Sequence, residues 1–199
     1  MFPRSDNLKS AIVPTVVVII SIIAYLLGTH LEEIFIYKRS AIYDGEVWRL
    51  VTGHFFHTNF NHLLLNIVAL IMLWSLHSKF YQNKSYAVLT LISGLFVSIS
   101  ILTLDPEMEQ YVGLSGILHA VFTWGALQDI KAKDKTGYLL LAGVIVKIIY
   151  EQMGGSNEFT QNLIAAPVAI NAHLYGVIVG AIIFFYAIYT NKKAEVITK

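Results

Sequence analysis

The segment Tyr111-Val112-Gly113-Leu114-Ser115-Gly116-Ile117-Leu118-His119 opens an apolar run of helical length, with a serine between small residues near its start. A serine hydroxyl is a weak nucleophile and needs a base beside it. The chain offers one in Asn171-Ala172-His173-Leu174-Tyr175-Gly176, inside another apolar run. An imidazole in reach of Ser115 can take the hydroxyl proton and later return it to a leaving group, which is the chemistry of acyl transfer. A tetrahedral intermediate also needs hydrogen-bond donors. The candidates are His62 and Asn66, one turn apart on one helix face, and the Ser115 backbone N–H. Each such donor is typically worth ~10²–10³ in rate.

These residues need helices to bring them together, and the composition says what kind. Of 199 residues, 56% are hydrophobic and 14% charged, and the mean hydropathy is +0.62. That describes a polytopic membrane protein better than a water-soluble domain. The net charge of +1 gives no basic surface for nucleic acid, and the absence of cysteine excludes disulfides, thiolate catalysis and cysteine-ligated zinc. Apolar segments fall at about 11–28, 62–78, 86–104, 113–130, 137–150 and 165–190, so residues 1–199 read as a single all-α integral membrane domain of six transmembrane helices. The fourth and fifth segments are short for a bilayer, which surrounding helices can accommodate. Arg4 and Lys9 before the run Ala11 to Leu27 resemble a signal peptide, but no A-x-A-like site follows, and the segment reads as an uncleaved first span.

Lysine and arginine set the orientation. Arg4, Lys9, Lys79, Lys84, Lys131, Lys133, Lys135, Lys192, Lys193 and Lys199 fall on one side of this six-span arrangement, and only Lys38, Arg39, Arg49 and Lys147 on the other. Both termini are therefore expected in the cytoplasm and Ser115 near the outer end of the fourth span. The long connection 29–61 mixes aromatic and charged residues and is expected in the outer interface. The 151–164 loop, with Gly154, Gly155, Ser156 and Asn157, reads as a mobile cover. Gly176 and Gly180 on the sixth span, and Gly116 and Ala120 on the fourth, form small-residue faces on which helices can approach closely. If those faces meet, Ser115 and His173 share one depth.

Competing readings stay open. His62 and Asn66 also suit a polar pair that joins helices. His119 lies on the Ser115 face, as a rival base. His54, His57 and His62 invite a metal reading, but no H-E-x-x-H and no acidic or thiol ligand stands among them. No metal or other cofactor is expected, and His57 is expected to hold its loop by hydrogen bonds. His30 and His77 read as interfacial residues at span ends. No intramembrane acid is seen to orient His173, so a Ser–His dyad is expected rather than a triad.

Trp48-Arg49, His62-x-x-x-Asn66, Gly113-x-Ser115-Gly116 and Ala172-His173-x-x-Gly176-x-x-x-Gly180, in that order, resemble the pattern of rhomboid intramembrane serine proteases over about Trp48 to Gly180. The resemblance implies a six-helix bundle with a long interfacial first loop, Ser115 as nucleophile and His173 as general base. It also implies His62, Asn66 and the Ser115 amide around the oxyanion, with Trp48 and Arg49 as structural residues of the first loop. A narrower resemblance, to the rhombosortase branch, rests on Glu46-Val47-Trp48-Arg49-Leu50-Val51-Thr52-Gly53-His54 and on the Tyr111 to His119 segment. It implies membrane-anchored bacterial substrates with a C-terminal Gly-Gly motif, a membrane helix and a basic tail. It places the protein in the inner membrane of a bacterium, with the active site toward the periplasm. Two positions depart from the rhomboid pattern: His119 stands where many members have a tyrosine that packs on the histidine, which implies that His119 packs on His173, and Tyr175 stands where glycine is common. The rival reading is a transporter or a non-catalytic rhomboid-like binding protein, because buried histidine and asparagine also line transport paths.

Overall fold

A computed structural model describes residues 10–155 and 158–197. The chain is mostly helical. Helix α1 (Ile12–Leu26) leads into a connection built of α2 (Gly28–Phe35), β1 (Tyr37–Lys38), α3 (Arg39–Tyr43) and α4 (Arg49–Thr52). Then come α5 (Phe60–His77), α6 (Asn83–Leu104), β2 (Gln110–Tyr111), α7 (Ser115–Lys131), α8 (Thr136–Gln152), α9 (Glu158–Ile164) and α10 (Ile170–Ile197). Among the described residues, three helices are long and apolar enough to cross a membrane, Phe60–Phe80, Asn83–Leu104 and Ile170–Asn191, and α1 is a shorter apolar helix. Large apolar side chains such as Ile19, Leu64, Ile92, Val146 and Phe185 face outward, as lipid-facing surfaces do.

Helix α7 is the centre. It packs against α5, α6, α8 and α10. Buried residues run all round it, from Gly116 and Leu118 to Thr123 and Asp129. A helix buried on every side needs no polar face, and its 17 residues are held among neighbours rather than by lipid.

Four differences from the sequence reading matter for the site. The chain is not purely helical: β1 and β2 pair antiparallel, Tyr37 opposite Tyr111, tying the first connection to the loop that carries Ser115. The segment expected at 165–190 starts its helix at Ile170, because α9 and a turn at Ala165 (φ +53°) precede it. The segment expected at 137–150 continues to Gln152 and so takes in Glu151. Finally, Glu158–Ile164 of the expected mobile cover is a helix fastened to the start of α5, while Ser156 and Asn157 lie outside the described residues. Thr58 Oγ1 donates to the Ile164 carbonyl at 2.5 Å, and the Asn59 and Asn61 amides donate to the Leu163 carbonyl at 3.0 and 3.2 Å.

The first connection is bolted down by two arginine forks, Arg39 half-buried and Arg49 buried. Arg39 donates to the carbonyls of Leu102 (2.7 Å), Ile101 (2.8 Å), Asp105 and Met108 (3.3 Å), capping the C-terminal turn of α6. The last carbonyls of a helix lack intrahelical donors, and a guanidinium supplies several at once. Arg49 donates to Ile36 O at 2.8 Å, Glu33 O at 2.7 Å and the Glu46 carboxylate at 2.6 Å.

His77 corrects the interfacial expectation. It is fully buried, its Nε2 is 3.2 Å from the Asp129 carboxylate, and its ring lies against Gly125. The same carboxylate takes Lys79 at 2.8 Å, joining the ends of α5 and α7 remote from Ser115. His30, by contrast, is exposed on α2.

Candidate active site

The α7–α10 seam sets the geometry. A Cβ on Gly176 would run into the Gly116 carbonyl oxygen, and one on Gly180 would stand 2.9 Å from Ala120 Cα. The two small-residue faces therefore meet backbone to backbone. At the end of the seam where α7 begins, Ser115 Oγ lies 3.0 Å from His173 Nε2. Ser115 is the first residue of α7, where the backbone N–H groups lack intrahelical acceptors and the helix dipole is positive. Gly113, two residues before, has φ +112°, a conformation open to glycine but strained for other residues. A Cβ there would also stand 2.7 Å from His62 Nε2, so the glycine lets the His62 ring close on the serine loop.

The His119 ring stacks on the His173 ring, with centroids 4.1 Å apart and planes 18° from parallel. Its Nδ1 is 2.7 Å from the Ser115 carbonyl oxygen, so it is tied to the serine backbone rather than to the hydroxyl. On the far edge of His173 stands the residue that sequence reasoning missed. Glu151 places Oε2 3.0 Å and Oε1 3.2 Å from Nδ1, and it is buried. The expectation that no acid reaches His173 is therefore corrected. Lys147, one turn back on α8, is 2.6 Å from Glu151 Oε1 and 3.3 Å from His173 Nδ1.

His62 and Asn66 face Ser115 across a cavity of about 670 Å³. His62 is fixed from behind: Thr58 N–H and Oγ1 stand 3.4 and 3.1 Å from Nδ1, and the His62 N–H donates to Asn59 Oδ1 at 2.8 Å. The Asn66 amide donates to the His62 carbonyl at 3.1 Å. Serine, imidazole and further donors thus line one cavity, which lies between α5, α7, α8 and α9.

A family model for the rhomboid domain matches residues 44–190. This chain belongs to the rhomboid family. A Bacillus subtilis (strain 168) protein, YdcA, described as a candidate rhomboid protease, is 20% identical over 150 residues, 75% of this chain and 72% of its own.

Around the centre of this rhomboid, the remaining residues singled out in the sequence have separate places. Trp48 Nε1 donates to Ile34 O at 3.0 Å and Arg49 holds the same α2 segment, both far along the chain from Ser115 and both fastening the first connection. His54 is turned away from the cavity into α6, with Nε2 2.9 Å from Gly94 O and Ser98 Oγ and Nδ1 3.4 Å from Gly113 O. It backs the serine loop and does not group with the other imidazoles. Burial pushes its titration down. His57 bonds Phe55 O at 3.1 Å and lies edge-on to His62, and burial, with His62 second, lowers it to about 3. Tyr175 packs with Tyr37, Val97, Ile101 and Tyr111, filling the side of the seam where a glycine would leave space.

Proposed function

We propose that this rhomboid is an intramembrane serine endopeptidase in which Ser115 attacks and His173 is the base. The observation that carries the reading is the 3.0 Å approach of Ser115 Oγ to His173 Nε2 beside a cavity lined by donors. In the first step the Ser115 proton passes to His173 Nε2 as Oγ bonds the substrate carbonyl carbon, and the carbonyl π electrons move to its oxygen. That oxygen is held by the Ser115 N–H, with His62 and Asn66 as the side-chain donors facing it. Collapse breaks the C–N bond, and the imidazolium gives its proton to the leaving amine. Water, deprotonated by His173, then releases the acyl group and regenerates Ser115.

The substrates are membrane-anchored proteins cut near the outer membrane face. The lysine-rich ends of α5, α7 and α8 (Lys79, Lys131, Lys133, Lys135) lie at the pole opposite Ser115, which supports cytoplasmic termini and a periplasmic site in a bacterial inner membrane with six spans. A helical substrate must unwind to expose a carbonyl, which glycine near the cut makes easier. The match of the Trp48 and Ser115 segments to rhombosortases favours a Gly-Gly, membrane helix and basic-tail signal as that substrate. A transporter or binding protein has no use for a serine set on an imidazole.

The test is labelling of the detergent-purified protein by a fluorophosphonate probe. Labelling is expected in the wild type, unaffected by chelators, and lost in Ser115→Ala and His173→Ala. Equal labelling of Ser115→Ala would overturn the assignment. Co-expression with a reporter bearing a Gly-Gly tail is expected to give a cleaved product, and an intact reporter beside an active, labelled enzyme would remove the narrower substrate class alone.

A further inference from the structure

Resting on that reading, we propose that Glu151 is a positioning residue that converts the Ser115–His173 pair into a Ser–His–Glu relay, with Lys147 as its counter-ion. The carboxylate is almost entirely buried, its side chain 3% exposed, whereas the Lys147 side chain is 45% exposed. A buried carboxylate is costly unless paired. A pair with Lys147 alone, four residues away on the same helix, could have been made on the surface. Instead the acid is turned inward onto the nitrogen of His173 opposite the one that meets Ser115. The end of α8 is pinned there independently: the Gln152 amide donates to Asn171 Oδ1 at 3.2 Å, and the Asn171 amide donates to Asp105 Oδ1 at 2.6 Å.

The placement decides a tautomer. A carboxylate only accepts hydrogen bonds and an ammonium only donates. With Glu151 on Nδ1, the ring hydrogen is at Nδ1 and Nε2 keeps the lone pair that must receive the Ser115 proton. Lys147 at 3.3 Å pulls the other way, because a hydrogen bond from Nζ to Nδ1 would leave the hydrogen on Nε2 and make His173 useless as a base. The shorter contacts resolve the competition: Glu151 Oε1 takes Nζ at 2.6 Å while Oε2 takes Nδ1 at 3.0 Å. Both carboxylate oxygens reach Nδ1, Oε2 the more closely, and Oε1 also takes the ammonium, which keeps Lys147 off the imidazole. In the serine proteases where the triad acid has been replaced by its amide, the wrong tautomer is the cause of the rate loss.

An unusual prediction follows for Glu151→Gln. Lys147 draws the glutamine carbonyl, which turns the amide NH₂ toward Nδ1 and fixes the unproductive tautomer. Removing Lys147 as well lets the carbonyl turn to Nδ1. In full-length protein in detergent, with cleavage of a fluorogenic transmembrane peptide as readout, Glu151→Gln is expected to lower kcat on the order of 10²-fold with KM little changed. Glu151→Asp is expected to keep more activity than Glu151→Gln, and the Glu151→Gln/Lys147→Met double variant to recover at least about tenfold over Glu151→Gln, the sign expected of coupled neighbours. The ¹⁵N shifts of His173, assigned by their loss in His173→Asn, are expected to show Nδ1–H in the wild type and Nε2–H in Glu151→Gln. A Glu151→Gln enzyme with wild-type kcat, or a double variant no faster than Glu151→Gln with the tautomer unmoved, would sink the proposal and leave Ser115 and His173 standing. If Glu151→Gln does not fold, the Glu151→Ala/Lys147→Met double variant, which leaves no unpaired charge, decides through the same two readouts, unchanged kcat and tautomer counting against. A wild type that fluorophosphonate does not label removes the proposal together with the reading beneath it.

Discussion

The seam between α7 and α10 makes a sharp prediction for Gly176→Ala. The added methyl would overlap the Gly116 carbonyl oxygen and stand 3.1 Å from His119 Cβ. Carbon and oxygen in contact need more than 3 Å, so the helices must part by roughly 1 Å at this point. Neither obstacle can swing aside, since one is backbone and the other the root of a stacked ring. Overpacking of this kind costs about 1–3 kcal/mol. His173 lies three residues earlier on the same helix, so the displacement is passed to its contact with Ser115. A shift of that size takes a 3.0 Å approach beyond hydrogen-bond range, and misplacing a reacting group by ~1 Å costs on the order of 10² in rate. Gly143→Ala is the control, on the adjacent α8, where a Cβ would meet nothing within 4 Å. There the methyl only favours the helix, by up to about 1 kcal/mol. The assay pairs unfolding in dodecylmaltoside–SDS mixtures with the rate of fluorophosphonate labelling measured where all variants remain folded. Gly176→Ala is expected to lose both stability and rate, and Gly143→Ala neither. A Gly176→Ala protein with wild-type midpoint and rate would show that the close approach does not hold the reactive pair in place.

Two further predictions rest on the first connection. Arg39→Lys replaces a planar fork serving four carbonyls around the end of α6 by a single point charge. It is expected to cost about 2–3 kcal/mol in the same SDS unfolding assay; an unchanged midpoint would mean that those carbonyls find other donors. His57 is held at about 3, below its ordinary 6.5, chiefly by burial, so the unfolded chain binds the extra proton first. Between those values the unfolded state carries more protons, and stability falls as pH drops from about 6.5 toward 3. Thermal midpoints in detergent between pH 7.5 and 5 should show this slope, and His57→Asn should flatten it; equal slopes would remove His57 as its source.

The parts of the fold legible in the sequence were those with a periodic or pairwise signal. The helices carrying His62, Ser115 and His173 could be read from apolar runs, and the α7–α10 contact from Gly176, Gly180, Gly116 and Ala120, because a stripe of small residues says that something comes close. The packing of His119 on His173 was expected from the rhomboid resemblance, since His119 stands at the position where many members carry a tyrosine packed on the histidine. The β1–β2 pair could not be read, since two residues a side carry no period. The Arg39 cap was equally hidden: an arginine in a polar loop looks solvated until the end of α6 is brought over it. His77 looked interfacial because it ends an apolar run, and only the crossing of α5 over Gly125 encloses it.

Glu151 was hidden for a more instructive reason. Sequence rules for membrane chains end a span where the charges begin, and that rule put the boundary at 150, one residue before the acid. Helix ends are uncertain by a residue or two, which is harmless for a fold and decisive for a site, since it separates a loop carboxylate from a buried one. The signal that was available is the pair Lys147 and Glu151, four apart on an otherwise apolar helix. Opposite charges at that spacing share a face. In a membrane such a face is expensive unless it turns toward protein. The two charges therefore specify the rotation of α8 about its axis, with that side turned inward to α10. What they do not contain is the height of α8 against α10. That is set by Gln152, Asn171 and Asp105 at the Ser115 end of the bundle, and only at that height does the carboxylate meet the imidazole edge rather than the apolar turn above or below it.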